Sequence, residues 1–167
     1  MIFTEVSLKR LYEDDYSLWL EKNSQLLRDR QLKDLDYENL IEELEALRRS
    51  ERKTAESLLK QVLIHLLLYE YWMSEQLQNS DHWRLEIATF RDQLSDELKS
   101  KTIYNHIVDH LEPLYKRAVK LARLKSGVRL PIACPYAIEQ ILDEDWLPIA
   151  GHLRSLDDAI VRGERVA

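Results

Sequence analysis

The stretch Tyr37–Met73, YENLIEELEALRRSERKTAESLLKQVLIHLLLYEYWM, decides the fold of this protein. Within it Tyr37, Leu40, Ile41, Leu44, Leu47, Ala55, Leu58, Leu59, Val62, Leu66, Tyr69 and Met73 recur at spacings that keep them on one face of a helix. The implied helix has about 38 residues and is about 57 Å long if unbroken. Asp36 is placed to cap it, and Glu38, Glu42, Glu43 and Glu45 lie near its positive dipole end. Between Leu47 and Ala55 no apolar residue falls on the stripe, and Glu51 holds the place where one is expected. This polar waist reads as a continuous helix whose halves pack against different partners. The rival is a break near Arg48–Ser50, with Ser50 as a new N-cap.

The flanking sequence repeats the theme. Residues 1–112 contain neither glycine nor proline, so the strongest interrupters of a helix are missing from two-thirds of the chain. A first helix is predicted from Asp14 to Arg30, with Tyr16, Trp19, Leu20, Asn23, Leu26 and Leu27 on one side and Asp14 or Asp15 as cap. After a loop at Ser74–Ser80, a third is predicted from Asp81 to Lys99 with the stripe Trp83, Ile87, Phe90, Leu94 and Leu98. A fourth begins near Ser100 and kinks or splits at Pro113, and Gly127 stops it. Pro135 opens a short helix to about Asp143, and residues 149–167 read as a weakly helical or frayed tail. The expected fold is all-α: an up-and-down helical bundle of four main helices, a single domain over 12–148 with the short C-terminal helix folding back and no β-sheet.

Composition narrows the function classes. No apolar run approaches the roughly 18 residues of a membrane span. The opening residues lack a secretory signal, and a lone Cys134 has no partner for an internal disulfide, so a cytoplasmic protein is expected. A net charge of −6 argues against general nucleic-acid binding.

The segment CPYAIEQILDEDWLP (Cys134, Pro135, Tyr136, Ala137, Ile138, Glu139, Gln140, Ile141, Leu142, Asp143, Glu144, Asp145, Trp146, Leu147, Pro148) resembles the closing signature of the domain of unknown function 29 family, uncharacterised all-helical bacterial proteins abundant in cyanobacteria. YEDDYSLWLEKNSQLLR (Tyr12–Arg28), LDYENLIEELEALRRSERK (Leu35–Lys53), LLKQVLIHLLLYEYW (Leu58–Trp72) and WRLEIATFRDQL (Trp83–Leu94) are similar to that family as well. Arg48 stands where relatives often carry glycine, which makes a sharp break at the waist less expected here. The resemblance implies a helical fold and no established activity, so it carries over no catalytic residue.

Individual residues offer few sites. His65 is expected to face the interior. With Glu43 or Glu51 it could form an acid/base couple, but a core histidine satisfied by a hydrogen bond is the ordinary reading. His106, Asp109 and His110 share one helical face and are the right types for a divalent metal, yet a closed site needs further ligands; no bound metal and no cofactor are expected. No histidine has a glutamate three positions before it, which removes the Glu-x-x-His pairs of di-iron bundles. Lys116, Arg117, Lys120 and Arg123 could hold an anion, although cations near a helix C-terminus are also what its dipole favours. Cys134 could have a lowered thiol pKa at a helix start, with a small packing residue as the bland alternative.

The favoured reading is a non-enzymatic interaction module that binds another protein through a helical surface. The alternative is a hydrolase or metal-dependent enzyme using Glu42, Glu43 or Glu51 with His65. An anion or nucleic-acid binder using the basic face of the fourth helix ranks third. The Cys134–Pro148 segment is expected to dock on the bundle as a clasp, its acids facing the basic end of that helix.

Overall fold

The computed structural model describes residues 7–150, and residues 1–6 and 151–167, including nearly all of the expected tail, lie outside the described residues. The described chain is predominantly helical, with no strand among the described residues. Its helices are α1 (Leu8–Asp14), α2 (Tyr16–Arg28), α3 (Tyr37–Tyr71), α4 (Met73–Glu97), α5 (Lys101–Asp109), α6 (Leu111–Ser126) and α7 (Ile138–Leu142), with a 3-10 turn at Leu32–Asp34.

Local chemistry sets most boundaries. Ser7 caps α1, a helix the periodicity did not suggest, by accepting from the Arg10 N–H. Asp15 caps α2 by accepting from the Leu18 N–H. The second helix ends at Arg28, earlier than expected, because Arg30 takes the left-handed conformation at φ 57°. The N–H of Gln31 then reaches the Leu26 carbonyl and that of Arg30 the Leu27 carbonyl, the paired bonds of a Schellman stop.

The expected loop at Ser74–Ser80 does not exist. Only Trp72 separates α3 from α4, because polar residues without glycine or proline do not stop a helix. Gln76, buried in the first turns of α4, donates to the Tyr69 carbonyl at 2.6 Å and satisfies an end of α3. The fourth expected helix splits at His110, leaving Pro113 in the first turn of α6, where a missing N–H costs little. Gly127 ends α6 at φ 70°, its N–H bonded to the Arg123 carbonyl. The short helix starts at Ile138, three residues later than Pro135 suggested, where the Gln140 side chain accepts from the Ala137 N–H.

The chain divides into two compact units, residues 1–50 and 51–167. The boundary falls inside α3 at the polar waist: the helix is continuous there, but Arg48, Arg49, Ser50 and Glu51 are exposed and give neither unit an apolar side chain to bury.

In the first unit, Trp19 and Asn23 of α2 are buried, and the Trp19 indole donates to Asp36 at 3.0 Å. Asn23 ties the same corner twice, donating to the Trp19 carbonyl and accepting from the Asp36 N–H. In the second unit, Leu59, Val62, Leu63, Leu66, Leu67 and Leu68 of α3 are fully buried, so this half of the helix is covered nearly all round. They share one core with Trp83, Ile87 and Leu94 of α4, Ile103 and Ile107 of α5, Leu114, Tyr115 and Ala118 of α6, and Ile141 of α7.

Candidate functional site

His65 is buried, and its Nδ1–H donates to the Gln61 carbonyl at 2.8 Å, one turn back on α3. Burial pulls its pKa below the ordinary imidazole value, with the Gln61 carbonyl and Glu86 pushing the other way. The proposed acid/base couple is not assembled. Along α3, Glu51 lies about 21 Å from His65 at 1.5 Å per residue. Glu43 is instead engaged within the first unit, accepting from the hydroxyls of Tyr12 at 2.7 Å and Tyr16 at 2.9 Å. Those bonds lower the pKa of Glu43 and push that of Tyr12 up to about 12. Glu42 and Glu51 are exposed.

His106 faces α3, where its Nε2 is paired with Glu56 at 2.8 Å; Arg117 of α6 lies 3.8 Å from the other Glu56 oxygen. The ring of His110 lies against that of His106, centroids 4.1 Å apart, with its Nδ1–H donating to the His106 carbonyl. Asp109 is exposed. Among the described residues no group of three histidine, cysteine, aspartate or glutamate side chains is arranged to hold a metal. Glu56, absent from the sequence-based candidates, is therefore the residue that engages His106. Lys116, Lys120 and Arg123 are exposed along α6 with Arg117, a solvated basic face.

The signature segment is held by two residues that sequence reasoning missed. Arg91 of α4, itself buried, donates from Nε to the Ile141 carbonyl at 2.8 Å, from Nη1 to the Trp146 carbonyl at 2.8 Å and from Nη2 to the Gln140 carbonyl at 3.1 Å. Two of these carbonyls end α7 and would otherwise lack partners, so one planar guanidinium caps the helix and pins the chain beyond it. Burial lowers its pKa, while Asp143 and Glu144 oppose that shift. Asp143 and Glu144 thus act electrostatically on Arg91. Glu70 of α3, also buried, accepts from the Tyr136 hydroxyl at 2.7 Å, and burial first, then Glu70, push the pKa of that phenol up. A signal was present: Arg91 falls between Ile87 and Leu94 on the α4 stripe, and Glu70 one turn after Leu66 on the buried half of α3.

Within the signature, Tyr136, Ile141 and Pro148 are buried, Ile138, Gln140, Leu142, Trp146 and Leu147 half-buried, and Pro135, Glu139, Asp143 and Asp145 exposed. Cys134 is half-buried four residues ahead of α7, and burial raises its thiol pKa, contrary to the reactive-thiol reading. Distance from the helix start removes the dipole effect and leaves desolvation dominant.

In the first unit the α3 stripe is outward: Tyr37 is 52%, Ile41 56%, Leu44 67% and Leu47 59% exposed. The sequence expectation that the whole stripe is core fails here because two short helices offer too little surface to cover this face as well as Trp19.

No helix among the described residues is long and apolar enough to cross a membrane. No curated protein matches the sequence. The chain is similar to a solved alpha-helical protein of unknown function from Rhodospirillum rubrum, 22% identical, covering 92% of this chain and 98% of that one with a TM-score of 0.56. Residues 11–147 match the family described as Domain of unknown function DUF29, and the chain belongs to that family.

Proposed function

We propose that this protein is a non-enzymatic interaction module, working in the cytoplasm and binding an amphipathic helix of another protein through the N-terminal half of α3. The observation that carries the reading is the outward row Tyr37, Ile41, Leu44 and Leu47, four large apolar side chains on one helical face, each more than half exposed. Leaving such a row in water is unfavourable, and contiguous apolar exposure marks interaction sites. Helix-in-groove recognition uses this spacing of anchors.

The second unit is the scaffold in this reading, an up-and-down bundle over which α7 folds back. The core shared by α3, α4, α5, α6 and α7 and the Arg91 grip on α7 support it.

The test is retention of proteins from the native cell on the immobilised chain, compared with a Leu44→Asp variant whose helicity matches wild type. A specific protein retained by wild type and lost with the variant supports the module. Equal retention on both, or none on either, overturns it.

A further inference from the structure

We propose that the outward face of α6 is a docking surface for an anionic lipid bilayer, its cations meeting the headgroups while Leu121 and Leu124 enter the interface. The surface lies wholly within the second unit. Residues 113–137 hold six basic residues and no acid, in a chain whose net charge is −6. Five of the six, Lys116, Arg117, Lys120, Arg123 and Lys125, are on α6, and all five are exposed. Glu112, the one acid of that helix, is in its first turn. The helix dipole accounts only for Arg123 and Lys125, which are in the last turn, because its effect fades within that turn. Lys116, Arg117 and Lys120 lie farther from the C-terminus, so the dipole does not explain their gathering on one face of an acidic protein.

The leucines among these cations identify the partner. Leu124 is 75% and Leu121 44% exposed. At 100° per residue the order round the helix is Arg123, Lys116, Lys120, Leu124, Arg117, Leu121, Lys125, an arc of about 200°. The opposite face, with Tyr115, Ala118 and Ala122, is buried in the core. Apolar side chains thus stand within the outward arc with cations on either side, the arrangement of a helix that lies in a membrane interface. Lysine and arginine stems can run beside the leucines while their charged ends stay at headgroup depth. Arg117, between the leucines, also lies 3.8 Å from Glu56. A nucleic acid fits this face less well: α6 has no asparagine or glutamine to read bases, its one aromatic, Tyr115, is buried, and the leucines would face phosphate. A partner helix calls for an apolar groove, whereas Leu124 stands out from a single helix.

Flotation of the full chain with vesicles tests the proposal. The chain should float with phosphatidylcholine vesicles containing one-third phosphatidylglycerol and stay behind with phosphatidylcholine alone. About 1 M salt, which screens charges beyond about 3 Å, should release it. Each cation near an anionic surface raises partitioning about fivefold, so a triple variant, Lys116→Gln with Lys120→Gln and Arg123→Gln, should bind about a hundredfold more weakly with its helical circular dichroism unchanged. Leu124→Ser should weaken binding about tenfold and leave the salt dependence in place. Failure to float with anionic vesicles, equal flotation with neutral ones, or a triple variant or Leu124→Ser that binds like wild type overturns the proposal. If the wild type ignores vesicles while a DNA duplex or polyglutamate binds it through the same cations, the lipid reading fails and the face belongs to a nucleic acid or an acidic protein.

Discussion

The guanidinium of Arg91 on α4 donates to the main-chain carbonyl of Ile141 at the end of α7, 2.8 Å away and fifty residues along the chain. Because the same group reaches the Gln140 and Trp146 carbonyls, one side chain satisfies three acceptors of the signature segment. Arg91→Leu should destabilise the protein by about 3 kcal/mol or more, since each buried acceptor left unpaired costs about 1–3 kcal/mol. Arg91→Lys should recover only part of this, a lysine lacking the planar fork. Denaturant unfolding measures both, and a loss below about 1 kcal/mol for the leucine variant would show that the grip is incidental.

Tyr136→Phe leaves its ring in place, T-shaped against Trp146 at 5.6 Å, and deletes only the hydroxyl bonded to Glu70. A bond to a charged acceptor contributes about 1.5–3 kcal/mol, so a loss in that range is expected. In a double-mutant cycle with Glu70→Gln the two changes should couple by about 1 kcal/mol or more; additivity would mean that the hydroxyl and carboxylate stabilise the fold separately.

Core truncation should rank by burial within the segment. Ile141 is fully buried, so Ile141→Ala should cost about 2–5 kcal/mol. Trp146 is only half-buried, and its carbonyl, which the substitution keeps, makes the bond to Arg91. Trp146→Ala should therefore cost less than the about 3–5 kcal/mol of a fully buried tryptophan. A Trp146→Ala loss larger than that of Ile141→Ala would reverse the ranking.

His65 makes stability depend on pH. Its folded pKa is depressed by burial, so the unfolded chain binds the proton more readily. The stabilisation is complete above the unfolded value of about 6.5 and is lost as pH falls through the folded one. Urea midpoints should decline as pH falls below about 6.5, and His65→Gln, which keeps a donor for the Gln61 carbonyl, should flatten that step. An unchanged slope would assign the decline to other groups.

Asp36 gives the first unit a lower acid limit. Burial would raise its pKa, but the bonds from Asn39 and Trp19 outweigh it and the net shift is downward. Its contribution is present above the ordinary carboxylate value of about 3.9 and disappears as pH falls through the folded value. At neutral pH the Trp19 indole N–H should exchange slowly with solvent, and Asp36→Ala should accelerate it by more than tenfold; equal exchange rates would dismiss the bond as a stabilising element.

Helix existence, the cap at Asp15, the split before Pro113 and the stop at Gly127 were legible in the chain because each arises within a turn or two of backbone. Absence of glycine and proline before residue 113 kept α3 continuous through its polar waist for the same local reason. Folding alone decided which apolar residues are buried. Leu44 and Leu63 are equally suited to a core, yet Leu44 is exposed and Leu63 is fully covered, because coverage depends on what packs alongside. The pairs that lock the signature segment were hidden likewise: Arg91 reaches Ile141 across fifty residues and Tyr136 reaches Glu70 across sixty-six. No periodicity within one helix encodes the carbonyl or carboxylate that another helix brings to it, and burial gives such pairs their worth by removing the water that would otherwise compete.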